Sequence, residues 1–105
     1  MQAVYKIEML PERSLASTAI FHETQLKGLA EQIAKPETTE LAIVMPLAPS
    51  DHDDWRRTLA RDLAREHAPK RVNVIAVNDD RIEKELLAYL RDAPGVTGQY
   101  LAAHE

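Results

Sequence analysis

The chain has 105 residues, of which 45% are hydrophobic and 29% charged, with a net charge of -4 and no cysteine. That length holds one domain with a single core, and the composition is that of an ordinary folded domain, not of a disordered or repetitive chain. An acidic balance without any basic block argues against nucleic acid as a partner, and the lack of cysteine excludes disulfides, thiolate nucleophiles and cysteine-based zinc sites.

Residues Met1 to Glu8 have neither a basic leader nor an apolar signal core, and the longest apolar run, Leu41 to Ala48, is too short to span a bilayer. A cytoplasmic protein without membrane association is expected. Ala3 to Glu8 alternates and reads as a short strand closed by Leu10-Pro11. Ser14 is the expected N-cap of a helix in which Leu15, Ala19, Leu26, Leu29, Ala30 and Ile33 recur up to Ala34. Its periodicity weakens at Phe21 to Thr24, where the helix would break in two, and Pro36 ends it.

Glu40 to Met45 is a continuous apolar run between Thr38-Thr39 and Pro46, the pattern of a strand buried on both faces. Ser50 with Asp53 three residues on forms a capping-box-like pair opening a helix that runs to about His67, before Pro69. That helix carries a stripe of Trp55, Leu59 and Leu63 flanked by Ala60 and Ala64. Arg71 to Val77 reads as a second buried strand. Asn78-Asp79-Asp80 caps a helix carrying Ile82, Leu86, Leu87 and Leu90, Pro94-Gly95 ends it, and Gln99 to Ala102 is the last strand. The order β-α-β-α-β-α-β predicts an α/β fold around a four-stranded parallel sheet.

Leu63-Ala-Arg-Glu-His-Ala-Pro69, Arg71-Val-Asn-Val-Ile-Ala76 and Val96-Thr-Gly-Gln99 together resemble the C-terminal half of the short-chain dehydrogenase/reductase family, strongly over residues 55–101 and elsewhere by element order. The resemblance implies one truncated Rossmann-like domain over residues 1–105, with three α/β/α layers. It also implies a left-handed last crossover, which places the helix over residues 79–92 on the opposite face of the sheet from the other two. Anchored on Leu63 to Pro69, the family's catalytic tyrosine falls at Pro49 and its lysine at Asp53. Neither can serve: proline has no hydroxyl, and aspartate reverses the charge that assists the tyrosine. The family's serine has no clear counterpart after Val44-Met45-Pro46, and its proline-glycine turn is replaced by Val77-Asn78. The three glycines, Gly28, Gly95 and Gly98, do not follow strands, so no phosphate-cradling loop is present and no cofactor is expected.

Asp51-His52-Asp53-Asp54 has the residue types of a zinc or acid–base site. Neighbours at a helix start diverge, however, and acids there suit the helix dipole, so the cluster is read as a cap. His67 sits in a last turn, where a cation is favoured, and His22 and His104 have no partner nearby in sequence. No catalytic residue and no metal ligand is assigned. Arg56, Arg57, Arg61 and Arg65 interleave with Asp53, Asp54, Asp62 and Glu66 and read as a solvated, internally paired face. Asn73 enters an apolar strand and should bond to neighbouring backbone.

The function expected from preserved packing phrases beside erased catalytic positions is a non-catalytic interaction or assembly module, with a full-length dehydrogenase as one partner. The resemblance implies a homodimer in which helices 14–34 and 51–67 form a four-helix bundle about a two-fold axis. Trp55, Leu59, Ala60, Leu63 and Ala64 would form the contact, burying on the order of 1,200–2,000 Å². The alternative is a small-molecule site, binding or catalytic, at the C-terminal ends of the strands, drawn from Ser50, Asp51, His52, Asn78 and Asp79.

Overall fold

Two apolar strands at the centre of the chain decide the architecture. In the computed structural model, which describes residues 1–103, β1 (Gln2–Lys6), β2 (Glu40–Met45), β3 (Arg71–Ala76) and β4 (Tyr100–Ala102) pair in that order. All three pairings are parallel, with Gln2 opposite Glu40, Glu40 opposite Arg71 and Val74 opposite Tyr100. Every residue of β2 is buried, as is β3 from Val72 onward. Both faces of this pair are therefore covered, as parallel strands require.

Alternation along β2 and β3 builds two cores. Leu41, Ile43, Met45, Val72 and Val74 pack on one face with Phe21, Leu29, Ile33, Leu59, Ala60 and Leu63. These come from α1 (Ser14–Thr24), α2 (Leu26–Ala34) and α3 (Asp53–Glu66). Ala42, Val44, Ile75 and Val77 pack on the other face with Leu90 of α4 (Asp80–Arg91). Since the strands advance in one direction while α4 changes face, the third crossover has the opposite hand to the first two. Val96, Leu101 and Ala103 complete the α4 layer. Asn73 faces that layer, donating to Val96 O at 3.0 Å and accepting from Gln99 N at 3.0 Å, so it satisfies the backbone of the segment that crosses the sheet. Among the described residues no helix is long and apolar enough to cross a membrane.

The expected break in the first helix falls at Gln25. Tyr5 reaches across from β1, its hydroxyl donating to Gln25 Oε1 at 2.9 Å. Its ring lies so close to α2 that a Cβ on Gly28 would stand 2.5 Å from that hydroxyl. Gly98, at φ +72°, turns the chain into β4. The expected β1 and β4 are shorter than Ala3–Glu8 and Gln99–Ala102, ending at Lys6 and starting at Tyr100.

Two expected caps differ. Ser14 is the first residue of α1 and its hydroxyl donates to Asp51 O at 3.0 Å, tying this helix to the next connection. Ser50 makes no capping bond either; a 3₁₀ turn (Ser50–His52) leads into α3, and His52 N donates to Pro49 O at 3.0 Å. The Asp79 cap is present, its Oδ1 accepting from Arg81 N at 2.8 Å and from Ile82 N at 3.0 Å. Asp79→Ala is expected to cost about 1 kcal/mol in urea unfolding, whereas Ser50→Ala should change stability by less than about 0.5 kcal/mol. Equal losses in the two variants would contradict these cap assignments.

Candidate functional site

Open parallel sheets expose the carboxyl ends of their strands between connections, and two clefts lie there in this chain. The first, of about 250 Å³, is bounded by Lys6, Glu8, Met45, Asn78, Asp79 and Glu83, with Asp80 on its wall. Four carboxylates, those of Glu8, Asp79, Asp80 and Glu83, face one ammonium. That ammonium is engaged, with Lys6 Nζ 2.9 Å from Glu83 Oε1. The hydrogen bond that Lys6 donates to Glu83, and the charge of that carboxylate, hold the Lys6 pKa above the ordinary lysine value. These residues do not fit the phosphates of a dinucleotide, which need backbone N–H groups or cations where this cleft presents acids.

The second cleft, of about 310 Å³, lies between the β1–α1 connection and the β2–α3 connection. Met9, Leu10, Pro46 and Leu47 form apolar walls, and His52 and Arg56 line it as well. Both polar residues are 1% exposed. His52 Nε2 donates to Glu12 O at 2.8 Å while Nδ1 accepts from Trp55 Nε1 at 3.3 Å, so its partners select the neutral Nε2–H tautomer. The ring joins the two connections and has no nitrogen left for a metal or a substrate.

Arg56 is the unexpected residue. Nη1 donates to Pro46 O at 2.9 Å and to Tyr100 Oη at 3.3 Å, and Nε has no partner. Its guanidinium carbon is 5.5 Å from the Trp55 ring centre and 5.9 Å from that of Tyr100. Burying a cation without an anion costs several kcal/mol, of which two cation–π contacts return about 1–2 kcal/mol each. The reading of a solvated basic face fails here and holds for its neighbours: Arg57 lies 3.7 Å from Asp53 and 3.8 Å from Asp54, and Arg65 pairs with Asp62. The signal was in the spacing. Arg56 precedes Leu59, Ala60 and Leu63 by three, four and seven residues, which puts it on the buried stripe.

The five residues expected to form a ligand site do not converge. Asn78 and Asp79 line the first cleft, His52 the second, and Ser50 and Asp51 are exposed on the 3₁₀ turn outside both. Asp79 is moreover engaged in capping. Of the residues expected at a dimer contact, Leu59, Ala60 and Leu63 are buried in the core of their own chain, while Trp55 and Ala64 are partly exposed. A shallow groove of about 450 Å³ runs between α1–α2 and α3, lined by Thr18, His22, Leu26, Trp55, Thr58 and Asp62. His22 Nδ1 meets Thr18 O at 2.7 Å, and His67 Nε2 is 3.9 Å from Glu66; His104 lies outside the described residues. Among the described residues no group of three or more histidine and acidic side chains is placed to hold a metal ion.

Glu83→Gln should lower the Lys6 pKa back towards the ordinary lysine value, read by NMR titration of the lysine ε-methylene. In the parent, the raised value means that the stability from this pair is complete below the unfolded lysine pKa and is lost as pH rises through the folded one. An unchanged Lys6 titration in the variant would contradict the pairing.

Neither a curated protein nor a solved structure matches the chain. Residues 5–103, which run from the end of β1 through β4 and include all the helices, match the family described as SDR-like, short chain dehydrogenase-like protein. With that match over nearly its whole length and a four-stranded parallel sheet alternating with helices, the chain belongs to the SDR-like family of short chain dehydrogenase-like proteins.

Proposed function

We propose that this chain is a non-catalytic member of its family that serves as an assembly module, pairing α1 and α3 with a second copy across a two-fold axis. One observation carries the reading. α1 buries Ser17 and Phe21 against its own core, yet leaves Leu15 82% and Ile20 39% exposed beside exposed Ala16 and Ala19. A helix that is apolar on both sides belongs in an interior, and within one chain α1 has an interior on one side.

The groove between α1–α2 and α3 lies beside this ridge, and an isologous contact lets the ridge of each copy lie against the groove of the other. The contact residues are thus revised from the buried stripe to Leu15, Ala19 and Ile20 with Trp55, Thr58 and Ala64. A full-length dehydrogenase offering the same two helices would compete for this surface. The catalytic positions support the same reading, since Pro49 and Asp53 stand where the resemblance places tyrosine and lysine, and the neighbouring cleft is acidic.

Sedimentation equilibrium at about 10 µM, near the typical affinity of such contacts, should give the dimer mass for the parent and the monomer mass for Leu15→Glu with Ile20→Glu. A monomeric parent, or a dimer indifferent to both charges, would remove this function. The non-catalytic part has its own measurement. NADH or NADPH at up to about 100 µM should leave the calorimetric signal flat, whereas saturable binding in the micromolar range that is usual for enzyme ligands would overturn it.

A further inference from the structure

The two ends of the sheet treat buried charge differently. At the amino end, Glu40 is 1% exposed and has a counter-charge: Gln2 Nε2 donates to Oε2 at 3.2 Å, and Oε1, which accepts no hydrogen bond, lies 3.7 Å from Arg71 Nη2. Arg71 in turn donates to Leu90 O at 2.8 Å and Ala93 O at 2.9 Å, so cation, anion and helix terminus balance one another. At the carboxyl end, Arg56 is equally buried, and no carboxylate pairs with it among the described residues. Two of its five N–H donors reach neutral oxygens, and Nε reaches none.

This unbalanced cation lines a cleft of about 310 Å³ whose other walls include Met9, Leu10, Pro11, Pro46, Leu47 and Ala48. A guanidinium with free donors is shaped for a planar, two-oxygen anion, and a carboxylate accepts from it in bidentate fashion. Apolar walls around one polar anchor are the usual make-up of a small-molecule site. Phosphate is a poorer match, because its remaining charged oxygens would face aliphatic side chains. The remaining acids of the cleft, Glu8 and Glu12, are exposed.

From this placement we infer that the second cleft is a binding site for a small organic monocarboxylate with an apolar body, anchored on Arg56. His52 holds the two connections that form the walls, and Trp55 and Tyr100 hold the guanidinium in place. Neither Leu15 nor Ile20 lines this cleft, so the site can exist whether or not the chain dimerises.

Hexanoate is the probe, with hexanamide as its uncharged counterpart and inorganic phosphate as the anion without an apolar body. Isothermal calorimetry and the fluorescence of Trp55, the single tryptophan, should both report saturable hexanoate binding with a midpoint of about 1 mM or below, the range of small ligands. Hexanamide should bind at least about tenfold more weakly, and phosphate should not displace hexanoate. Arg56→Met, which removes the charge while keeping the bulk, should lose binding yet remain folded by circular dichroism; Arg56→Lys, retaining charge without the fork, should weaken it by about tenfold. Equal midpoints for hexanoate and hexanamide, undiminished binding in a folded Arg56→Met, displacement by phosphate at similar concentration, or no saturable signal up to about 20 mM would each overturn the assignment. The sedimentation measurement is unaffected by any of these results, so the two readings fail separately.

Discussion

The constraint on which this structure depends is that β2 and β3 must be covered on both faces while being hydrogen-bonded on both edges. A run such as Leu41-Ala-Ile-Val-Met45 has no polar face to give to water, so helices must arrive from opposite sides. Three connections supply them: α1–α2 and α3 to one face, α4 to the other. The second face has one helix, and the segment leading to β4 covers more of it, with Val96 packed against the core. A backbone segment crossing a buried face brings polar groups with it. Asn73 meets them, which is why an amide interrupts an otherwise aliphatic strand.

Unequal coverage also explains where surplus apolar surface appears. Val4 of edge strand β1, opposite Ala42 on the α4 face, stays 44% exposed, since one helix does not reach that edge. A further surplus is on α1, separated from α2 by the break at Gln25 and packed on the core through Phe21 and Ser17. Its Leu15 and Ile20 extend past the sheet's requirement. The proposed association accordingly uses helix faces and not strand edges.

Much of this was legible in the amino-acid pattern. Continuous apolar runs identified β2 and β3, Asp79 identified its helix start, and the phrases shared with the dehydrogenase family indicated the change of face at α4. What was not legible depends on tertiary contacts. Ser14 and Ser50 have the right residue type for caps, but a hydroxyl bonds to whatever is nearest, and for Ser14 that is Asp51 O on another segment. At the break, Gln25 accepts from Tyr5, twenty residues away, whose ring occupies the space a side chain on Gly28 would need. For Arg56, position outweighs charge. Its spacing to Leu59, Ala60 and Leu63 places it inward, and the interleaved acids Asp53, Asp54 and Asp62 pair with Arg57 and Arg65.

Pro49 and Asp53, where the resemblance places the family's tyrosine and lysine, each have a part in the fold. Pro49 stands just before the 3₁₀ turn with φ −59° and ψ 160°, where an extended, preset backbone directs the chain into a helix start. Asp53 opens α3, where the dipole favours an anion, and its carboxylate turns towards Arg57 on the outside of the helix. Both residues are thus suited to beginning a helix. Arg56 is different. Stability alone would favour an apolar residue on the stripe at this position, since burying an unpaired cation is costly. A charge kept there, gripped by two aromatic rings and facing an apolar cleft, is therefore the residue of α3 that packing does not account for, and an anion supplied from outside the chain gives it a physical reason to remain.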